Sequence, residues 1–128
     1  LLRKIINYQY ITMKKLVLAT LFVVLGMNAN AQEKPNKNKK VEVGVSGACD
    51  MCEKRIEKAA YSVKGVKSAE WHADHQDLHL IIDETKCKVI DVEKAIAKAG
   101  HDTQDVKSTD AEYAKVHGCC KYRTQESH

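Results

Sequence analysis

The hydrophobic spacing between Val41 and Lys107 alternates between strand-like and helix-like periods, and this succession limits the possible folds more than any other feature of the sequence. Strand-like alternation is found over residues 41–46, 66–73 and 78–83. Helical spacing is found over residues 52–63 and 88–99, and a weaker, polar edge-strand pattern over residues 101–107. The order strand–helix–strand–strand–helix–strand predicts an α+β fold of the ferredoxin-like split βαβ type (βαββαβ). In this fold an antiparallel sheet carries both helices on one face.

Two shorter segments flank this predicted domain of residues 41–107. Residues 32–40 are polar, contain the only proline of the sequence, Pro35, and are typical of a flexible tether. Residues 108–128 form a cysteine-containing tail. The T-x-x-E pattern that begins at Thr109 predicts a capping box and a short helix over residues 110–117, with Gly118 as its end.

The first 31 residues have the pattern of a signal peptide. A basic start at Met13 is followed by an apolar run over residues 16–25 and by the small residues Ala29-Asn30-Ala31. We expect residues 13–31 to be removed by cleavage after Ala31, and we interpret residues 1–12 as an upstream extension. The apolar run is shorter than a membrane span of about 20 residues, so a retained anchor is the less favoured alternative. The pattern predicts export to the periplasm or secretion, with no stable membrane insertion after cleavage.

The net charge of +4 is confined to this leader. Four of the 21 basic residues lie in the first 31 positions, which contain no acidic residue, so the remaining basic residues balance the 17 acidic ones. A nucleic-acid-binding domain normally carries a basic surface. We therefore expect no nucleic-acid partner.

Two of the five cysteines, Cys49 and Cys52, lie three positions apart where the first predicted strand turns into the first helix. The unpaired N–H groups and the positive dipole end of a helix N-terminus stabilise thiolates. A pair of thiolates suits soft ions, namely Cu(I), Hg(II), Zn(II) or Cd(II). The alternatives are a thiol redox module, which would need a proline loop facing the thiols, and an interaction domain stabilised by a disulfide.

In its cysteine loop and helices, the segment from Val41 to Lys107 resembles the heavy-metal-associated domain family of copper chaperones, metal-ATPase domains and periplasmic mercury-binding proteins. The resemblance rests on the stretches 45–52, 56–59, 63–68 and 95–100. It implies that Cys49 and Cys52 are the metal ligands. The sequence departs from the family in two places. The usual G-M-T-C motif is replaced here by Ser46-Gly47-Ala48-Cys49, so the methionine of the motif is missing, and His101 stands where an aromatic residue is usual.

Three further residues are candidate ligands. His101 starts the predicted fourth strand, which would pair with the first strand near the cysteine loop, so its imidazole is a candidate third ligand. The adjacent pair Cys119-Cys120 has three alternatives: metal ligation, with His117 as a further donor, pairing with a distant cysteine such as Cys87, or a strained disulfide between neighbours. We expect Cys87 to be a partly buried small hydrophobic residue. We expect the histidines of the central hairpin to face solvent; they are His72, His75 and His79.

These observations together predict a monomeric, non-enzymatic, exported soft-metal-binding protein. The ion expected first is Cu(I). The protein would buffer the metal or hand it to a membrane metal transporter or another metal-binding protein by thiolate ligand exchange through Cys49 and Cys52.

Overall fold

The computed structural model describes residues 1–25 and 33–124 of the chain, which divides into two compact units, residues 1–34 and 35–128. The first unit contains one helix, α1 (Leu2–Leu25), which continues through Met13. The predicted cleavage site at Ala29–Ala31 lies outside the described residues. Within the described part of the chain, no helix has the length and apolar content that a membrane crossing requires.

The second unit is built on a three-stranded antiparallel sheet in the order β1-β3-β2. The strands are β1 (Lys39–Gly44), β2 (Val66–His72) and β3 (Asp77–Ile82). β1 begins two residues before the predicted alternation, at Lys39, whose Nζ pairs with Glu84 at 2.6 Å. Alternate side chains of the sheet are buried, as the period-two pattern predicts; they are Val43, Ala69, Trp71, Leu78, Leu80 and Ile82.

Two helices complete the hydrophobic core of this unit. α2 (Asp50–Tyr61) buries Cys52, Ile56 and Ala60, and α3 (Val89–Lys98) buries Val92, Ile96 and Ala97. These positions recur every three to four residues, so each helix turns one apolar stripe inward. The α+β fold with an antiparallel sheet is therefore confirmed.

The fourth strand predicted over residues 101–107 is wrong, because the described residues show only an isolated antiparallel bridge between Val45 and Thr103. The buried carboxylate of Glu93 on α3 accepts hydrogen bonds from the Thr103 hydroxyl at 2.9 Å and from the Asp105 N–H at 3.0 Å. The Thr103 N–H also bonds to the Val106 carbonyl at 2.8 Å. These bonds turn the backbone back on itself, so it leaves β1 after one bridge.

The tail is docked on the domain by a short helix and by the side chain of Val116, which follows it. Helix α4 (Asp110–Ala114) has the predicted capping box, in which the Glu112 N–H donates to the Thr109 hydroxyl at 3.2 Å. α4 is shorter than predicted, because Val116 turns into the core, where it is only 4 % exposed. It packs beside Gly100, the residue that follows α3 with φ of +103°.

Candidate metal centre

The loop between β1 and α2 holds Cys49 and Cys52 in different environments. Cys49 is half-buried and caps α2, and its carbonyl accepts the Cys52 N–H at 2.8 Å. Cys52 lies on the inner stripe of α2 and is fully buried, and its sulfur accepts the Ala48 N–H at 3.3 Å. The loop runs close to Trp71, since a Cβ on Gly47 would lie 2.8 Å from the indole ring. A glycine is therefore needed for this close approach.

The four sulfurs of Cys49, Cys52, Cys119 and Cys120 gather at this loop. Cys49 Sγ lies 3.6 Å from Cys52 Sγ, 3.0 Å from Cys119 Sγ and 3.5 Å from Cys120 Sγ. The two tail sulfurs are 3.9 Å apart. Cys49 is thus the common member of a loop pair with Cys52 and of a triad with the two tail cysteines. The ligand atoms of that triad all lie within 4.8 Å of one another, so one ion can reach all three.

A thioether completes the sulfur-rich surface. Met51 Sδ lies 3.6 Å from Cys119 Sγ, and both side chains are exposed. Met51 was not among the ligands predicted from the sequence. The sequence signal for Met51 was its position between the two loop cysteines. That position indicates a ligand only once the docked tail brings Cys119 beside the thioether.

The thiol of Cys49 has a lowered pKa. Burial alone would raise its pKa, but hydrogen bonds from the Cys119 thiol, the Cys52 backbone and the Cys120 thiol lower the pKa from 9.0 to about 7. The pKa of Cys119 is raised because its thiol donates to Cys49, and the pKa of Cys120 is raised chiefly by burial. Cys49 therefore becomes a thiolate before the two tail thiols, which act as donors to it.

We expect iodoacetamide to alkylate Cys49 with a rate that reaches half its maximum near pH 7, measured by mass spectrometry of the labelled peptides. Replacing both tail cysteines, as Cys119→Ala with Cys120→Ala, removes two thiol donors and should move this midpoint towards 9. Cys87 is the internal control, because burial raises the pKa of its thiol and it should stay unlabelled. A midpoint near 9 in the wild-type chain would contradict the arrangement.

The structure places His101 beside the loop but outside the sulfur group. Its ring is fully buried, Nδ1 lies 2.9 Å from the Ser46 carbonyl oxygen, and the ring stacks on Tyr122 with a centroid separation of 5.3 Å. Burial lowers the pKa of His101, which favours the neutral ring. His101 thus lies near the end of β1, as the predicted topology required, but its imidazole stacks on Tyr122 of the tail.

The remaining candidates lie apart from the sulfurs. Cys87 is buried and its thiol faces the Asp83 carbonyl oxygen at 3.9 Å, as expected of a small hydrophobic residue. His117 is exposed, and its Nδ1 accepts the Cys119 N–H at 3.5 Å. On the hairpin, His72 and His79 form a second group of ligand atoms with Asp77, in which His79 Nε2 lies 3.3 Å from Asp77 Oδ2.

The α+β domain brings several thiols to one loop, and thiolates are the ligands that soft metal ions prefer. Residues 42–102 match the model of the heavy-metal-associated domain, so the resemblance read from the sequence is confirmed for this segment. The matched segment contains Cys49 and Cys52, whereas Cys119 and Cys120 lie beyond it.

Solved structures of this class are similar to the chain. Oxidized MerP from Ralstonia metallidurans CH34 is 26% identical, with a TM-score of 0.50 over 52% of this chain and 94% of that chain. The CopZ metallochaperone is 26% identical, with a TM-score of 0.49 over 51% of this chain and 98% of that chain. A copper binding domain from HMA7, a P-type ATPase, is 29% identical, with a TM-score of 0.49 over 51% of this chain and 89% of that chain. A search of the curated proteins found no match.

Proposed function

We propose that this chain is an exported carrier of a soft metal ion, with Cu(I) as its cargo. It binds the ion through Cys49 and Cys52 and passes it to a thiol-bearing partner such as a membrane metal transporter. The observation that carries the proposal is the position of Cys49 Sγ, which has three other cysteine sulfurs within 3.6 Å. Thiolates are the ligands that Cu(I) prefers, and a heavy-metal-associated domain holds this loop.

The exposure of the site suits transfer by ligand exchange. Cys49 is half-buried while Cys52 is enclosed, so an incoming thiolate reaches the ion from the side of Cys49. A new metal–sulfur bond to the partner forms before a bond to this chain breaks, and the oxidation state of the ion does not change. Each partner thiol that becomes a ligand loses a proton, and each cysteine that releases the ion takes one up, so the overall step conserves charge and the number of ligands.

The test is a competition with a Cu(I)-specific chelator under anaerobic, reducing conditions. We expect the wild-type chain to withdraw one Cu(I) from the chelator, and the double variant Cys49→Ser with Cys52→Ser to withdraw none at the same concentration. The variant Cys87→Ser is the matched control, because Cys87 contacts Asp83 and not the cluster. A double variant that competes as well as the wild type would overturn the proposal. Reduction of insulin disulfides by the metal-free chain would instead indicate a thiol redox module.

Export makes a separate prediction. The signal-peptide pattern over residues 13–31 predicts a mature chain that begins at Gln32. N-terminal sequencing of the protein from fractionated cells should find this terminus in the exported fraction. A cytosolic species that retains the region around Met13 would contradict it, and the variant Ala31→Leu, which removes the small residue before the cut, should accumulate uncleaved.

A further inference from the structure

We propose that Cys119 and Cys120 complete, with Cys49, a three-thiolate metal site, and that the segment Gly118–Arg123 is a lid that sets how long the ion is held. The segment is called the tail lid below. This inference rests on the proposed function, because it concerns the same ion at the same loop. Its two tail ligands lie outside the matched family segment. They replace Cys52 while the tail lid is docked, and Cys52 is the second ligand of Cys49 when the tail lid is open.

The sulfur separations of the triad are close to those of a three-coordinate site. Metal–thiolate bonds of about 2.3 Å place the sulfurs about 4.6 Å apart in a linear site and about 4 Å apart in a trigonal one. The three separations in the triad are 3.0, 3.5 and 3.9 Å. A trigonal ion therefore needs the sulfurs to move apart by at most about 1 Å. The loop pair, at 3.6 Å, must open by the same amount to hold a linear ion.

The tail thiols are positioned by contacts that do not involve sulfur. The Tyr122 hydroxyl accepts the Asp102 N–H and donates to the Gly100 carbonyl, both at 2.8 Å. The Arg123 guanidinium bonds to the Asp102 carboxylate at 2.7 and 3.0 Å and to Asp110 at 3.0 Å. Because these bonds fix Tyr122 and Arg123, which lie just after the two tail cysteines in the chain, the thiols face the loop before any ion arrives.

A closed and an open form follow from this arrangement. With the tail lid docked, Cys49, Cys119 and Cys120 share the ion, and each thiol that becomes a ligand loses its proton. During transfer the bond to the exposed Cys119 breaks as a bond to the partner's thiolate forms. The released tail thiols take up protons, and no oxidant or reductant takes part. The closed form retains the ion. The bonds of Tyr122 and Arg123 to Asp102 determine how often the tail lid opens.

X-ray absorption spectroscopy of the Cu(I)-loaded full chain tests the ligand set directly. We expect about three sulfur neighbours in the wild type and in the Cys87→Ser control, and about two in the variant Cys119→Ser with Cys120→Ser. Chelator competition should show a loss of affinity of at least tenfold in that variant. Since Cys120 is buried, Cys119→Ser alone, at an exposed position, gives the same test with less risk to folding.

The lid is tested by a variant that keeps every sulfur. Tyr122→Phe retains the ring on His101 and removes the hydroxyl that bridges Asp102 and Gly100. Loss of such an outer-shell contact should speed release of Cu(I) to a chelator about 10- to 100-fold while the sulfur count at saturation stays unchanged. An unchanged release rate would overturn the lid.

The failure of this inference is distinct from the failure of the proposed function. If the tail variants keep the wild-type sulfur count and affinity while Cys49→Ser with Cys52→Ser loses binding, the loop pair is the whole site and the tail ligands are wrong. If the loop variants bind as the wild type does, the proposed function itself is wrong.

Discussion

Replacing Cys49 by serine is expected to lower the Cu(I) affinity more than replacing any other single cysteine. Its sulfur belongs to both the loop pair and the triad, so its loss leaves neither set complete. It is also the thiol with the lowered pKa, about 7, and binding a metal at neutral pH costs less when the ligand is already deprotonated. The loss of Cu(I) affinity should exceed about 10- to 100-fold, the loss typical of removing a residue that contacts a metal ligand without binding the metal.

The comparison with Cys52→Ser makes this prediction specific. Cys52 belongs to the loop pair and not to the group whose ligand atoms lie within 4.8 Å of one another, so the triad survives its replacement. Chelator competition with the two single variants and with Cys87→Ser should therefore rank Cys49→Ser as the weakest binder. Equal losses for Cys49→Ser and Cys52→Ser would mean that the loop pair holds the ion without the tail.

Replacing Gly100 by alanine is expected to lower the free energy of unfolding by about 2–5 kcal/mol. The residue has φ of +103°, which costs a side-chain-bearing residue about 1–2 kcal/mol. The added Cβ would lie 2.3 Å from Val116 Cγ1 and 3.1 Å from the Glu112 carbonyl oxygen, and such overpacking costs about 1–3 kcal/mol more. The loss is large for a domain whose whole stability is about 5–15 kcal/mol.

Gly118→Ala is the matched control, because a Cβ there meets no atom within 4 Å. Its effect should stay within about 0.5 kcal/mol. Urea denaturation followed by circular dichroism measures both variants. If Gly100→Ala unfolds at the urea concentration of the wild type, Val116 and the tail are not packed against Gly100 as described.

The sequence predicted the frame of the domain because the core elements depend on local periodicity. The alternation at Leu78, Leu80 and Ile82 and the helical stripe at Cys52 and Ile56 are both seen in the buried positions. The fourth strand was predicted from its place in the pattern. This prediction was wrong because of one buried side chain, that of Glu93. The Glu93 carboxylate accepts hydrogen bonds from the Thr103 hydroxyl and the Asp105 N–H. Glutamates on helices usually face solvent, so the sequence does not indicate this buried role.

The part of the site that lies in the loop was predictable from the sequence, and the part that lies in the tail was not. The spacing of Cys49 and Cys52 and their place between strand and helix identified the loop pair. The partners of His101 and Met51 were not predictable, because both come from the tail: Tyr122 stacks on the imidazole and Cys119 contacts the thioether. Docking of a segment about 70 residues away is decided by tertiary contacts such as those of Arg123, which leave no periodic signal in the sequence.

The separation of 70 and 71 residues between Cys49 and the two tail cysteines has a consequence for the order of folding. Contacts between distant parts of a chain close late, since the entropy of closing a long loop must first be offset by other contacts. The triad therefore assembles after the sheet and helices are in place. Until then the loop pair and the tail pair of thiols stay apart, so the gathering of the four sulfurs reports that the native topology has been reached.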